Sequence, residues 1–368
     1  METGNQASRD AYYDLIRGIA VLVILQAHAR EIYPFQSDFI QTISLFGRFG
    51  VQLFYFVSAL TMCLIWNKRS DENRKVEKFY IRRFFRIAPL FWLVIPLMPL
   101  YLYFTHQPYM WAPEGIHTVH IVLTALFLHG FWPDTINSVV PGGWSIAVEM
   151  TFYFLFPLVF VKIRRRDFYL WFAMIIFFFN VLFFQPWARQ FFHEHAPQFD
   201  LPLINEFLYC NFLNQCPVFL LGCYLFYSDR KETLFNSRTI LLPFLLWIGG
   251  AVLCWYIWDC DWRNVEFLTV FLCLYLFVDN LRKTGLAESS IISNIGEYTY
   301  VIYLANLFVI RAVGLFLARV LALQSGVLGF FVTLLISVPI CYLIALIARA
   351  VIERPIQNRV NSLIRRLA

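Results

Sequence analysis

The sequence predicts an all-α, polytopic integral membrane protein with about 10 transmembrane helices. Of its 368 residues, 60% are hydrophobic, 19% are aromatic and only 15% are charged, whereas charged residues make up roughly 25% of soluble domains. One water-soluble core cannot bury this excess of apolar side chains, so long apolar runs are expected to cross a bilayer. We expect a single transmembrane domain over residues 1–368, with its motifs in the range 12–356. The net charge of +6 is modest, and we expect no nucleic-acid partner.

Ten apolar runs predict membrane spans. They are residues 15–33, 49–66, 87–104, 147–161, 168–184, 205–227, 239–258, 264–280, 296–318 and 327–350. A further run, VHIVLTALFLHGFW at 119–132, is too short for an ordinary span and predicts a re-entrant or interfacial helix. Residues 1–10 are polar and no small-residue cleavage site follows the first apolar run, so we expect the first span to be retained.

The basic residues predict the orientation of the spans. The stretch NKRSDENRKVEKFYIRRFFR holds eight of the thirty Lys and Arg residues, KIRRR at 162–166 holds four and the tail from Arg349 holds five, whereas 105–146 holds none. If 119–132 does not cross, about twenty-four of the thirty lie on one side, which the positive-inside rule identifies as the cytoplasm. We therefore expect ten spans with both termini in the cytoplasm.

The cysteines predict neither a disulfide framework nor a metal site. The eight of them lie mostly inside apolar segments, at positions 63, 210, 216, 223, 254, 260, 273 and 341. None has the spacing of a metal site with a nearby histidine. We therefore expect small buried apolar side chains and no metal.

The stretch RGIAVLVILQAHA places Arg17 and His28 at the two ends of an apolar segment. Eleven helical steps return His28 to within roughly 20° of the face of Arg17, about 16 Å further along the axis. Ionisable residues at such depth are unfavourable and commonly face a cavity, so both are functional candidates. Alternatively, Arg17 is an interfacial anchor supported by Asp14, and His28 only reaches the outer headgroups.

The stretch PGGWSIAVEMTFYFLFP opens the fourth span with Trp144, Ser145 and Glu149. Ser145 is expected to cap this helix, and the helix dipole favours a carboxylate at Glu149, on the first turn or just beyond. Glu149 then lies on the outer side at about the depth of His28, where a carboxylate can orient an imidazole that deprotonates a hydroxyl. Alternatively, Glu149 only satisfies the helix end.

Two arginines in FYIRRFFRIAPLFW, Arg83 and Arg86, lie three residues apart before the third span. Residues with this spacing share a helix face, and paired guanidinium groups suit the binding of phosphate oxygens. Alternatively, the two arginines only fix the topology or contact anionic lipid.

The stretch GEYTYVIYLANLFVIR places Tyr298, Tyr303, Asn306 and Arg311 at the ninth span. Tyr303 and Asn306 share a helix face, so they are candidates to line a cavity together. Alternatively, Asn306 bonds a neighbouring helix and Arg311 extends toward the outer interface.

In their order along the chain, these segments resemble the motifs of the acyltransferase-3 family, which includes membrane-embedded O-acetyltransferases of bacterial surface glycans. The segments are RGIAVLVILQAHA, GVQLFYFVSAL, RRFFRIAPLFW, WSIAVEMTFYFLFP, YTYVIYLAN and IERP. The resemblance implies a bacterial inner-membrane enzyme that moves an acyl group, usually acetyl from cytoplasmic acetyl-CoA, to a hydroxyl of a surface or lipid-linked glycan outside. Acetyl-CoA is then a co-substrate, and no cofactor is expected to be bound permanently.

The family's motifs fall on Arg17, His28, Arg83, Arg86, Trp144, Ser145 and Glu149. This match strengthens the following expected roles, which the chemistry of the residues also suggests. The catalytic group is His28, as general base or less readily as transient acyl carrier, with Glu149 orienting it and Arg17 beside them. Donor binding is assigned to Arg83 and Arg86, and substrate binding or positioning to Trp144, Ser145, Tyr303, Asn306 and Arg311.

Two positions depart from the family's pattern. Ser58 is followed by Ala59 and Leu60, where the family commonly has Gly and Phe, so a methyl group occupies a close-packing position. Asn306 stands where the family usually has a histidine. An Asn side chain donates and accepts hydrogen bonds but cannot take up a proton, which leaves positioning or oxyanion stabilisation for Asn306.

Two other classes of protein are alternatives to an acyltransferase. A secondary transporter or flippase would use the buried His, Glu and Arg as a proton relay, and a structural partner of a polysaccharide-export complex would use them only for packing. The ordered set of motifs argues against both. Protection of Arg83 and Arg86 by CoA is expected of the enzyme alone.

The topology is tested by cysteine labelling from outside the cell, in a variant without reactive native thiols. Because 105–146 carries no Lys or Arg, Gly115→Cys should be labelled, whereas Arg165→Cys in the basic KIRRR stretch should be protected. The reverse pattern would contradict the ten-span topology.

Overall fold

A computed structural model describes residues 2–33, 46–106, 109–163, 165–228, 245–250, 252–253, 256, 291–320 and 326–367. Within these ranges all regular structure is helical, which confirms the all-α part of the prediction, whereas the count of about 10 transmembrane helices stays a prediction. The helices are α1 (Glu2–Ile32), α2 (Gly50–Lys68), α3 (Lys75–Val94), α4 (Leu97–Thr105), α5 (Thr118–Ala125), α6 (Trp144–Leu158), α7 (Arg166–Phe179), α8 (Gln185–His195), α9 (Leu201–Cys210), α10 (Phe212–Tyr227), α11 (Ile291–Gly296), α12 (Thr299–Val320), α13 (Val327–Ala348) and α14 (Arg354–Arg366).

Among the described residues, five helical stretches are long and apolar enough to cross a membrane. They are Gly50–Lys68, Lys75–Thr105, Arg166–His195, Thr299–Val320 and Val327–Arg366. The helix α1 is 31 residues long, but charged and polar side chains interrupt its apolar run, and α6 is short. The described residues therefore establish a helical chain with membrane-length helices, whereas the predicted span 264–280 and most of 239–258 lie outside them.

The short run at 119–132 forms the eight-residue helix α5, followed by a single helical turn at His129–Phe131. The predicted span 205–227 is not continuous. Asn211 separates α9 from α10, because its side-chain oxygen accepts a hydrogen bond from the Asn214 amide and its own amide group donates to the Phe207 carbonyl. An Asn at this position caps a new helix and ends the old one.

The described chain divides into two compact units. The first contains residues 1–57, 73–94 and 281–368, and the second contains 58–72 and 95–280. In the first unit α1 packs against α11, α12 and α13. A Cβ atom on Gly296 would overlap the backbone of Asp14, and one on Gly18 would overlap the backbone of Ile292, so α1 and α11 touch backbone to backbone.

The opposite end of the same helix group is also closely packed. The Tyr33 hydroxyl donates a hydrogen bond to the Gly314 carbonyl at 3.3 Å. Gly314 lies against Ile32, and Gly329 lies against the Tyr33 ring. Gly296, just before α12, lies against Asp14, and Gly314 lies against Ile32, so α12 runs parallel to α1. The start of α13 lies against Tyr33 and its far end is joined to Glu297 by Arg349, so α13 runs antiparallel to α1.

The second unit has an aromatic centre. The Phe152 ring of α6 stacks on the Phe219 ring of α10, with 4.1 Å between centroids, and also on Phe160. Cys63 and Cys223 are buried here and 3.5 Å apart through their sulfur atoms. The prediction of buried cysteines is confirmed for the five that the structure describes, and positions 254, 260 and 273 lie outside the described residues.

The contact between α1 and α11 predicts that Gly296 tolerates no side chain. Gly296→Ala forces the backbones apart, which should lower stability by roughly 1–3 kcal/mol and so lower the thermal midpoint in detergent. The matched control is Gly249→Ala, because a Cβ at Gly249 meets no heavy atom within 4 Å. Its midpoint should be unchanged or higher, since Ala favours helix over Gly. Equal midpoints for both variants would contradict the close contact.

Candidate active site

One end of the first unit carries a group of charged side chains. Arg17 Nη1 and Asp14 Oδ1 form an ion pair at 2.8 Å on α1, and both side chains are 19% exposed. Arg349 Nη1 forms a second pair with Glu297 Oε2 at 2.7 Å, and its guanidinium group lies 4.6 Å from the centre of the Tyr298 ring. These paired, partly buried charges lie at the same depth of the helix group, where α1 meets the start of α12 and the end of α13.

The two predicted donor-binding arginines have different surroundings. Arg83 is 8% exposed and its guanidinium carbon lies 5.7 Å from the centre of the Phe79 ring. Arg86 is exposed, and its positive charge acts on both Asp14 and Glu353. Arg86 therefore belongs to the charged end that contains Arg17, whereas Arg83 is packed inside the unit. Their binding of phosphate stays a prediction.

The opposite end of α1 carries His28 beside a carboxylate that the sequence reasoning missed. His28 Nδ1 lies 3.3 Å from Glu31 Oε1, one helical turn further along. The signal was present in the sequence, because residues three apart share a helix face. A carboxylate at Nδ1 holds the proton on that nitrogen and leaves Nε2 with a lone pair, which is the form of an imidazole that accepts a proton.

Positive charge surrounds this pair. Arg30 on α1 and Arg311 on α12 both act electrostatically on the Glu31 carboxylate. Arg311 is exposed, in the second half of α12. His28 is 22% exposed and Glu31 56%, so a substrate can reach the pair without displacing a packed core.

Tyr303 and Asn306 occupy the middle of α12. The Asn306 side chain is 1% exposed and donates a hydrogen bond to the Tyr303 carbonyl. The Tyr303 ring packs edge-on against Phe54, with 6.2 Å between centroids. Asn306 is thus buried within the first unit and available for positioning, in agreement with the chemistry of an amide.

Glu149 lies in the second unit and is held by two hydroxyl groups. Ser58 Oγ donates to Glu149 Oε1 at 2.8 Å, and the Tyr153 hydroxyl donates to the same oxygen. The two donors hold Oε1 in place, and this also fixes the direction in which Oε2 points. The expectation that Glu149 orients His28 stays a prediction, because the partners described for each residue lie inside its own unit.

The expectation that Ser145 caps α6 is wrong. Gly143 is the N-cap residue and no side chain caps the helix. Ser145 lies inside the first turn, where its hydroxyl donates to the Gly142 carbonyl at 3.0 Å. The turn is shaped instead by Asn137, whose side-chain oxygen accepts the Gly142 amide at 2.7 Å, and by a positive φ of 79° at Gly142. Only a glycine adopts that conformation without strain.

The start of α6 is anchored by two further residues. Trp144 packs against Tyr209, with 6.4 Å between ring centroids. His129 is 2% exposed, and its Nε2 donates to the Gly143 carbonyl at 3.0 Å. Burial lowers the pKa of His129 to about 4, because a charged imidazole loses its hydration there. His129 is therefore neutral at pH 7 and fixes the turn that precedes Glu149.

Membrane-length apolar helices, packed against a helix that carries an imidazole paired with a carboxylate, fit the class of membrane proteins with a group able to accept a proton. Residues 10–346 match the acyltransferase-3 family, described as an acyltransferase domain. The chain belongs to this family.

Two curated relatives are similar over part of the chain. The peptidoglycan O-acetyltransferase OatA of Listeria monocytogenes is 24% identical over 164 residues, which cover 40% of this chain and 24% of OatA. The acyltransferase MdmB of Streptomyces mycarofaciens is 24% identical over 158 residues, which cover 41% of this chain and 39% of MdmB. The aligned part thus spans less than half of each relative. No solved structure matches the chain.

The buried His129 predicts a loss of stability in acid. The unfolded chain takes up a proton near pH 6.5, whereas the folded chain resists protonation down to about pH 4. The contribution of His129 to the free energy of unfolding, on the order of 3 kcal/mol, is therefore complete above pH 6.5 and is lost as the pH falls toward 4.

The check is the thermal midpoint in detergent at pH 7 and pH 5 for the parent and for His129→Asn. The variant should be less stable at neutral pH but lose less on acidification, because it has no such group to titrate. Parallel losses in the two proteins would rule out this role of His129.

Proposed function

We propose that this protein transfers an acetyl group from cytoplasmic acetyl-CoA to a hydroxyl of an exported or cell-surface glycan, at the outer side of the bacterial inner membrane. The observation that carries the proposal is the His28–Glu31 pair near the carboxyl-terminal end of α1, with the Arg17–Asp14 pair about three helical turns before it. The names of the two relatives, a peptidoglycan O-acetyltransferase and an acyltransferase, support the reaction.

The proposed topology has ten spans and both termini in the cytoplasm. It is supported by the positive-inside rule, since most basic residues fall on one side. It is also supported by the first unit, in which the beginning of α12 and the end of α13 lie level with Asp14 of α1, on the amino-terminal side of Arg17. The charged end then faces the cytoplasm and His28 faces outward.

The donor is proposed to bind at the charged end. Acetyl-CoA carries phosphates on its nucleotide, and guanidinium groups bind phosphate oxygens through paired hydrogen bonds. Arg86 is exposed there for such contact, and Arg83 is proposed to support it from its buried position. Membrane lipids surround the helices, and no cofactor is required for this chemistry.

The chemical step is proposed to use His28 as general base. His28 Nε2 takes the proton of the glycan hydroxyl as its oxygen attacks the thioester carbonyl. The carbon–sulfur bond then breaks, and the proton on the imidazolium passes to the CoA thiolate. Glu31 stabilises the imidazolium, since its carboxylate accepts a hydrogen bond from Nδ1–H and carries a negative charge.

Glu149 is proposed to be required for transfer through its fixed carboxylate. A carboxylate with two hydroxyl donors on Oε1 stays oriented, and its Oε2 is able to accept a hydrogen bond from a sugar hydroxyl or from an imidazole. Glu149→Gln keeps the shape but loses the charge. It should therefore lower the rate less than removal of His28.

The donor site is tested by Arg86→Lys and Arg83→Lys. Lysine keeps the charge but loses the planar fork, so the affinity for acetyl-CoA should fall while membrane insertion is unchanged. The matched control is Arg74→Lys on the same basic stretch, where Arg74 pairs with Glu77 at the surface. Unchanged donor affinity in both single variants and in the double variant would reduce the two arginines to topology determinants.

The reaction is tested by mass spectrometry of surface glycans from cells with the parent protein, with His28→Ala or with Glu31→Gln. His28→Ala should abolish acetylation, a loss of at least roughly 10²–10⁴ in rate. Glu31→Gln should lower the rate less, because the Gln side-chain oxygen still accepts a hydrogen bond from Nδ1–H. His195→Ala is the control, since His195 is exposed and bonds only to a carbonyl of its own helix among the described contacts. Near-parent acetylation by His28→Ala would overturn the mechanism.

A further inference from the structure

On α12 and α13, three buried polar atoms have no hydrogen-bond partner among the residues that the structure describes. They are Asn306 Oδ1 on α12 and the hydroxyl oxygens of Thr333 and Ser337 on α13. Asn306 is 1% exposed, and Thr333 and Ser337 are 0% exposed. Since α12 and α13 pack against each other and against α1, all three belong to one group of helices.

The three atoms lie at about the depth of His28. Gly314 lies against Ile32, and α12 is parallel to α1, so Asn306, eight residues before Gly314, is level with about residue 24. Gly329 lies against Tyr33, and α13 is antiparallel to α1. Ser337 and Thr333 are therefore level with about residues 25 and 29. Each is within about one helical turn of His28 along the axis.

Such groups are unfavourable unless something binds them. A buried hydroxyl or amide oxygen without a partner destabilises a protein by roughly 1–3 kcal/mol, and lipid offers no hydrogen bond in its place. A helical threonine usually bonds to a carbonyl of its own helix. Thr151 on α6 does so, donating to the Ala147 carbonyl at 2.8 Å. Thr333 and Ser337 form no such bond among the described contacts, so their hydroxyls are available to a group that enters between the helices.

We propose that Thr333, Ser337 and Asn306 bind the amide groups of the pantetheine arm of the acyl donor and so hold its thioester at the level of His28. This inference rests on the proposed function. The two hydroxyls lie one turn apart on one face of α13, about 6 Å, and pantetheine carries two amides separated by two methylene groups. Asn306 Oδ1 accepts an amide N–H, and the hydroxyls bond either end of an amide.

A linear arm fits these positions better than a sugar ring does. All three atoms are enclosed between helices, so the occupant must be narrow and must bring both donors and acceptors. Pro339 lies two residues beyond Ser337 inside α13. A proline there removes one backbone hydrogen bond, so α13 can bend beside Ser337 to admit the arm.

The test compares Thr333→Val and Ser337→Ala with the control Thr151→Val. Both test variants remove a hydroxyl that has no described partner, so the thermal midpoint should be unchanged or higher. The KM for acetyl-CoA should rise by roughly fivefold for each, with kcat little changed. Thr151→Val, which breaks a bond within its own helix, should leave the KM for acetyl-CoA unchanged.

A second donor identifies the bound group. Acetyl pantetheine keeps both amides and lacks the nucleotide, whereas S-acetyl ethanethiol has no amide. The variants should raise the KM for acetyl pantetheine and leave that for S-acetyl ethanethiol unchanged. An unchanged KM for acetyl-CoA in an active protein, or an equal rise for both short donors, would overturn this inference and leave the proposed function standing. Absence of acetyl transfer in the parent protein would overturn both.

Discussion

The backbone contact between α1 and α11 sets the arrangement of the first unit. Gly18 and Gly296 have no side chains, so the two helices touch directly, and the touching backbones fix how far α12 and α13 are shifted along α1. This register brings Arg17, Glu297 and Arg349 to one end. It also places His28, Glu31 and Arg311 toward the other.

The distribution of charge along α1 follows from the surroundings of each end. Ionisable side chains inside an apolar helix group are tolerated where they are paired or reach water. Arg17 is paired with Asp14, and His28 with Glu31. Between them the helix is almost wholly apolar, and α12 and α13 bring the buried polar side chains of Asn306, Thr333 and Ser337 close to the depth of His28. The proposed reaction, in which an acyl group crosses the membrane, needs such an arrangement. Charge is confined to the two ends of the path, and neutral hydrogen-bonding groups occupy its interior.

Part of this could be predicted from the sequence. Apolar runs and sparse charge predict a helical membrane protein, and the resemblance predicts an acyltransferase, since both depend on properties of single segments. The break at Asn211 and the Gly143 cap of α6 were missed, because they depend on which local hydrogen bonds compete best. The sequence motifs point to Glu149 and not to Glu31, although the three-residue spacing of Glu31 from His28 predicts that the two share a helix face. The unpartnered hydroxyls of Thr333 and Ser337 required the packing of three helices to be known.

The central claim is that donor and acceptor react from opposite sides of the membrane. Its most direct measurement uses purified protein in sealed liposomes, with radiolabelled acetyl-CoA added outside and a glycan acceptor trapped inside. Molecules oriented with the charged end outward should transfer label to the enclosed glycan, and His28→Ala should abolish that transfer. Transfer that occurs only when donor and acceptor share one compartment would contradict the account.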